Sequence, residues 1–267
     1  MSSYVGSFRF KDAPFRVSFG HNVSAMSTAI VSTYTDEGFV VGADGLRKDT
    51  TGTVVSETIQ KIFPFKRSIL ELVFGWSGST HLFRPDGGEF DFVKATEIIL
   101  NSVSPFSVGS FEKFAAVFGE ALYAQLALSF GFTFQSASSK PELARLLFVG
   151  YFRGKPYKAQ ISIPLLNSVI QPPVIEEIGK CFPGDLVILS GSEWVFREFF
   201  EDKSIMRNIA SPTAAMTFVT KYIQVCIDHR NSDPECAEIG GHIHLGMLSP
   251  EGFRWVVEPT SQNQNET

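Results

Sequence analysis

The stretch between Thr28 and Gly45 limits the possible folds more than any other part of this chain. Thr28-Ala29-Ile30-Val31-Ser32-Thr33-Tyr34 and Gly38-Phe39-Val40-Val41-Gly42 are rich in β-branched and aromatic residues, with the polar turn Thr35-Asp36-Glu37-Gly38 between them. This pattern predicts a β-hairpin. With the turn centred between Asp36 and Glu37, residues whose numbers sum to about 73 stand opposite one another, so Asp44 faces Ala29 and neighbours Thr28. A hydroxyl and a carboxylate are expected at one end of the same ribbon.

Further along, Ser56-Glu57-Thr58-Ile59-Gln60-Lys61-Ile62 adds a lysine, and Leu70-Glu71-Leu72-Val73-Phe74-Gly75-Trp76-Ser77-Gly78-Ser79 reads as a buried strand running into a glycine turn. The order Thr28, Gly42-Ala43-Asp44, Lys61-Ile62 and Gly78 resembles the first strands of proteasome-type β subunits, of the N-terminal-nucleophile (Ntn) hydrolase superfamily. The resemblance implies Thr28 as nucleophile, Asp44 as the acid, Lys61 as the lysine and Gly78 as the oxyanion-hole glycine, with Gly75 as fallback. The interval from Thr28 to Asp44 fits the family pattern; the segments up to Lys61 and Gly78 are longer. Fainter similarity runs through Leu147-Phe148-Val149-Gly150-Tyr151, Ser190-Gly191-Ser192 and Gly240-Gly241, so the resemblance covers residues 28 to 258.

The implied chemistry makes specific demands. A threonine hydroxyl is a poor nucleophile at neutral pH and needs a base within hydrogen-bond reach, a role its own free α-amine can fill. Only a chain terminus supplies that amine, so residues 1–27 must be removed, and Ser27 stands where an autoprocessing family member has glycine. Lys61 beside Asp44 would keep a positive field under the hydroxyl while the carboxylate holds the ammonium. Backbone N–H groups at the Gly78 turn would stabilise the oxyanion. Each residue also has a plainer explanation: strand threonines pack, acids after small residues form turns, and single lysines are solvated.

Two regions depart from the family pattern. In the extension, Phe8 and Phe10 flank Arg9, and Phe15, Val17 and Phe19 alternate with Arg16 and Ser18, which predicts two short strands covering sheet edge or core. A start at Met26 would instead expose Ser27. Near the C-terminus the family places an acid and a serine before a double glycine. Here Cys236 and Ile239 stand in those positions ahead of Gly240-Gly241, with Asp233 and Glu238 as neighbouring substitutes. Ser190-Gly191-Ser192 keeps the supporting signature the resemblance implies, although after Leu186-Val187-Ile188-Leu189 it is also an ordinary turn and helix start.

Composition narrows the partners. A formal charge of −5 without basic clusters argues against nucleic acid or an anionic membrane, no apolar run is long enough to span a bilayer, and the expected location is the cytoplasm. Cys181, Cys226 and Cys236 form no short-spaced motif and are expected as reduced thiols. His242 and His244 alternate on an expected strand; they would make a metal pair only if a carboxylate or Cys236 converged, and the ordinary explanation is an exposed polar face. No cofactor and no metal is expected.

Helical periodicity falls at Phe92 to Val103, Phe111 to Phe130, Ser192 to Phe200 and Pro212 to Arg230. Strand patterns lie at Ile69 to Ser77, Leu143 to Phe152, Pro156 to Ile163, Ser168 to Ile170, Val174 to Ile178, Asp185 to Ser190, His242 to Leu248 and Phe253 to Val257. This order gives a mixed α+β fold; the resemblance refines it to a four-layer α-β-β-α Ntn-hydrolase sandwich of two mainly antiparallel sheets. The expected organisation is an N-terminal extension (1–27), one domain (28–258) and a polar tail (259–267). Two functions follow from the resemblance. One is a threonine peptidase or amide hydrolase acting on peptide or protein. The other is an inactive structural or binding subunit. Either would form a homo-oligomer or a ring of related subunits.

Overall fold

The computed structural model describes residues 7–8, 17–19, 28–48, 52–78, 80–84, 86–131, 142–167, 169–200 and 209–259. In chain order the elements are β1 (Ser7–Phe8), β2 (Val17–Phe19), β3 (Ile30–Tyr34), β4 (Phe39–Ala43), β5 (Arg47–Lys48), β6 (Val54–Ser56), β7 (Ile62–Arg67) and β8 (Leu70–Gly78). They continue with β9 (His81–Phe83), β10 (Glu89–Asp91), α1 (Phe92–Ser102), α2 (Phe111–Phe130), β11 (Glu142–Phe152), β12 (Lys155–Leu166), β13 (Val169–Ile170) and β14 (Val174–Lys180). The last are β15 (Leu186–Ser190), α3 (Glu193–Phe200), α4 (Pro212–Asp228), β16 (His244–Ser249) and β17 (Gly252–Val257), with a 3-10 turn at Pro234–Cys236. The fold is mixed α/β with more strand than helix, and its sheets are mainly antiparallel.

The chain divides into two compact units, residues 1–63 with 181–267, and residues 64–180. The first is built on the hairpin of β3 and β4, where Ile30 lies opposite Ala43 and Tyr34 opposite Phe39, the register expected from the turn. Thr35 closes that turn by accepting at Oγ1 from the Gly38 and Glu37 amides at 3.1 and 3.2 Å. Gly38 has a φ of +143°, and a Cβ there would come within 2.9 Å of the Ser249 backbone, so an L side chain is excluded twice over. The sheet order is β1-β2-β15-β3-β4-β16-β17, antiparallel except where β2 runs parallel to β15. Val31, Val40, Leu186 and Ile188 form a buried cluster with Phe196 of α3 and Phe218, Val219, Tyr222 and Ile223 of α4. Gly42 allows this approach, since a Cβ there would meet Val219 Cγ1 at 2.5 Å. Ser211 caps α4 ahead of Pro212, as its sequence suggested.

The second unit carries the sheet β13-β12-β11-β8-β7, with β14 also paired to β12. Its helical side is aromatic. Phe118 of α2 meets Phe148 of β11 edge to face at 4.9 Å, Phe92 lies 4.8 Å from Trp76, and the Trp76 indole donates to Thr96 Oγ1 at 3.0 Å. Asp91 and Ser110 cap α1 and α2. Among the described residues no helix is long and apolar enough to cross a membrane.

Helix boundaries follow periodicity to within two residues, but β5, β6, β7, β9 and β10 were not anticipated. β7 contains Pro64 and alternates half-buried with exposed residues, so little apolar pattern marked it. The expectation for the two histidines also fails. His242 precedes β16, and His244 is fully buried within the sheet, not on an exposed polar face.

Phe118→Ala should cost about 3–5 kcal/mol of stability, because a large fully buried ring would be replaced by a cavity. Leu128→Ala, at a position 88% exposed, should change stability by no more than about 0.5 kcal/mol. Urea denaturation of both variants checks the contrast.

Candidate functional site

Three of the sequence-derived candidates converge, all within the first unit. Asp44 follows the last residue of β4, and its backbone N–H donates to the Ala29 carbonyl at 3.2 Å, extending the hairpin by one pair. Its side chain is fully buried and accepts from the amides of Ala29 (2.9 Å), Gly240 (3.0 Å) and Leu46 (3.3 Å). Lys61 Nζ lies 3.0 Å from both carboxylate oxygens and donates to Thr28 Oγ1 at 3.3 Å. A single ammonium therefore links the buried acid to the threonine hydroxyl.

The loops that hold this arrangement are braced against one another. Gly45 N–H donates to Gly240 O, Ile59 N–H to Gly45 O and His242 N–H to Glu57 O, while Lys48 Nζ reaches Ala237 O at 2.9 Å. Gly45 is required where they cross, because a Cβ would come within 2.7 Å of Glu57 O and 2.8 Å of His242 O. These bonds connect the segment after Asp44 to the segment before Lys61 and to the double glycine.

Burial pushes the Asp44 carboxyl above its ordinary value, against the opposing pull of the Lys61 charge and the donated N–H groups of Gly240 and Ala29. The pair has no cheap alternative. Removing one member of a buried ion pair typically costs 3–5 kcal/mol on the order-of-magnitude scale, since the other charge is left uncompensated.

His244 completes the surroundings and was not recognised in the sequence as part of them. It is paired with Ala43, the residue before Asp44, and its Nε2 accepts the Lys61 backbone N–H at 3.2 Å. Burial, then the charges of Lys61 and His242, push its imidazole down to about 3. Nδ1 is buried without a hydrogen-bond partner among the described residues. His242 makes a separate contact, with Nε2 2.9 Å from Glu258 O. Among the described residues no group of three or more His, Cys, Asp or Glu side chains could hold a metal ion.

The supporting residues stand on the neighbouring strand. Ser190 lies opposite Ile30, two residues from Thr28, with its hydroxyl buried and, among the described residues, without a hydrogen-bond partner. Gly191 adopts a φ of +143° against the Tyr222 ring, where a Cβ would meet the hydroxyl at 2.5 Å. Ser192 caps α3 by accepting from Val195 N–H at 3.1 Å, and its hydroxyl also donates to Asp233. Asp233, one of the two substitutes considered for the missing acid, thus reaches the serine signature, whereas Ile239 is fully buried in the apolar cluster. Cys236 Sγ lies 3.7 Å from Asp233, and Cys181, Cys226 and Cys236 are buried and form no disulfide among the described residues. Gly78 belongs to the second unit, at the end of β8 opposite Ala144. There its φ is +98°, and a Cβ would lie 2.9 Å from Ala144 Cα and Leu143 O.

Solved structures that share the fold include Anbu proteins. The chain matches Anbu from Hyphomicrobium sp. strain MC1 with a TM-score of 0.53 and 11% identity, covering 88% of this chain and 89% of that one. It also matches the Anbu of Pseudomonas aeruginosa, solved as a helical assembly, with a TM-score of 0.52 and 15% identity over 86% and 87% of the two chains. A further match is the Anbu of Yersinia bercovieri, described as an ancestral beta-subunit, with a TM-score of 0.49 and 12% identity over 86% and 87%. No protein-family model and no curated protein matches the sequence.

These findings correct the sequence resemblance. The solved structures named above are Anbu proteins, a proteasome-like but distinct group, and none of them is a proteasome β subunit. Four site residues and some glycine motifs describe the ends of a few strands. Related families are separated by the whole backbone trace.

The depressed His244 imidazole has a consequence for stability. The unfolded chain takes up its proton near pH 6.5 and the native chain near 3, so His244 contributes stability above pH 6.5 that is lost as pH falls towards 3. Asp44, shifted upwards, acts in the opposite sense. His244→Gln should remove about 4 kcal/mol of the acid-side loss between those two limits, read from urea midpoints of both proteins across that range.

Proposed function

We propose that this chain is a proteasome-like amide hydrolase of the Ntn kind, which forms an acyl-enzyme on Thr28 once residues 1–27 have been removed. The observation that carries the reading is the Lys61 ammonium, held by both oxygens of a fully buried Asp44 and donating to Thr28 Oγ1. Nothing in ordinary packing requires a buried carboxylate and its counter-ion to end on a half-buried hydroxyl.

The chemistry proceeds as follows. The freed Thr28 α-amine takes the hydroxyl proton while Oγ1 bonds to the substrate carbonyl carbon, and Lys61 stabilises the charge that develops on Oγ1. The amine returns the proton to the departing nitrogen as the C–N bond breaks, and water then hydrolyses the ester. By its place in the sequence, Gly78 is the oxyanion donor this scheme requires. Ser190 and Ser192, with Asp233, are the candidates for holding the terminal amine. The substrate is a peptide or protein amide, and assembly with further copies belongs to the same proposal, supported by the helical assembly of the Pseudomonas aeruginosa protein. The α-β-β-α layering is likewise part of it.

A second reading, a non-catalytic subunit with this fold, is favoured by one observation. The extension strand Val17–Phe19 is hydrogen-bonded in parallel to β15, so the described part of the segment to be removed is built into the sheet.

Protein beginning at Thr28 should hydrolyse a fluorogenic peptide amide and be acylated at that residue by a β-lactone. Thr28→Ser should keep activity, Thr28→Ala should abolish it, and Lys61→Met should lower kcat by about 10²–10⁴-fold. Full activity in protein whose intact mass still includes residue 1 would rule the mechanism out. An absence of acylation in the processed protein would favour the second reading.

A further inference from the structure

We infer that His244 is a positioning residue for Lys61: by accepting the Lys61 backbone N–H at Nε2 it ties the lysine to the sheet and fixes the ammonium between Asp44 and Thr28. This rests on the acyl-transfer reading of the same site, and it assigns His244 no contact with substrate.

The argument begins from the backbone. Lys61 lies in the two-residue stretch between Ile59, whose N–H is bonded to Gly45 O, and Ile62, where β7 starts. Its own N–H donates to the side chain of His244. The segment that delivers the ammonium is thus anchored at this residue by an imidazole, and the orientation of that imidazole sets where the lysine stem begins.

The anchor is well placed. His244 sits opposite Ala43, so the chain that holds Lys61 by the backbone is one residue removed from the carboxylate that holds it by the side chain. Asp44 and His244 fix the two ends of one lysine from adjacent strands, β4 and β16. The imidazole itself has little freedom: it is fully buried, and the Trp255 ring meets it edge to face at 6.0 Å.

The protonation state also fits. A nitrogen that accepts an N–H must carry a lone pair, so the proton resides on Nδ1, which is buried and has no hydrogen-bond partner among the described residues. An apolar residue would pack at this position without that cost. The neutral form is enforced by burial and by the charges that face the ring, Lys61 and His242, so the acceptor persists through the neutral range.

Two substitutions separate anchoring from packing. Glutamine can bring its amide oxygen to the place of Nε2, whereas asparagine reaches only as far as Nδ1. In protein beginning at Thr28, His244→Asn should slow acylation by a β-lactone about 10–100-fold and shift the NMR signal of 13Cε-labelled Lys61, while His244→Gln restores both. Equal behaviour of the two variants with an unmoved Lys61 signal would overturn the inference. If no protein is acylated, wild type included, the acyl-transfer reading fails. The Lys61 signal then decides the positioning role alone: a shift in His244→Asn that His244→Gln reverses supports it, and an unchanged signal removes it. Should His244→Asn not fold, the 15N spectrum of the wild-type imidazole serves instead, because a protonated Nε2 contradicts the anchor and an unprotonated one coupled to the Lys61 amide supports it.

Discussion

The arrangement of the first unit depends on one carboxylate. Asp44 is fully buried and collects three backbone N–H groups and an ammonium, drawn from Ala29, Leu46, Gly240 and Lys61. These donors lie on separate stretches of chain, before the hairpin, after it, ahead of β7 and ahead of β16. Charge-assisted hydrogen bonds are worth roughly 1.5–3 kcal/mol each, and burying the charge costs several kcal/mol, so the site holds only while most donors are present. Convergence of the loops and burial of the acid are consequently one event. A chain that failed to bring Gly240 to the hairpin would leave Asp44 short of a donor and Lys61 without a fixed partner.

The sequence disclosed this centre unevenly. Thr28 and Asp44 could be brought together because a two-stranded antiparallel ribbon obeys a simple sum rule, and Thr35 with Gly38 fixed the turn that sets the sum; Lys61 lies outside that ribbon and entered only through the resemblance. Helices were legible for the same kind of reason: α2 keeps Phe111, Phe114, Phe118, Leu122 and Leu126 on one buried face, with Ser110 as its cap. His244 was not legible. Its role depends on which strand lies beside β4, and that pairing spans about 200 residues of sequence, with no local pattern to announce it. Its neighbour Leu245 is apolar, so alternation made His244 look outward-facing, although the sheet buries both. Asp233 was considered only as a substitute, because its contact with Ser192 is created by the turn at Pro234–Cys236 and not by any spacing in the chain. Identification of the family failed for a related reason: local motifs described the hairpin well and the complete fold poorly.

Residues that support a site and residues that support the fold are not separate here. Gly42 serves the strand that leads to Asp44 and also admits Val219 of α4. Ser192 caps α3 while its hydroxyl reaches Asp233, and Tyr222 donates to the Ser192 carbonyl from the apolar cluster. Substitutions at such positions disturb packing and polar geometry together, so loss of activity at Ser192 or Gly42 would not by itself locate a chemical role. Thr28 differs, because it is half-buried and its hydroxyl meets the Lys61 ammonium.

The extension poses the sharpest physical question. β2 adds a parallel strand to β15, and β15 is also the strand that places Ser190 opposite Ile30. Removing residues 1–27 would convert β15 from an internal strand into an edge strand and expose its unpaired backbone groups beside the candidate site. Exposed edges attract other strands, so removal of the extension would leave a new pairing surface at β15. An extended peptide is a chemically suitable occupant for such an edge, and a second subunit is the competing one.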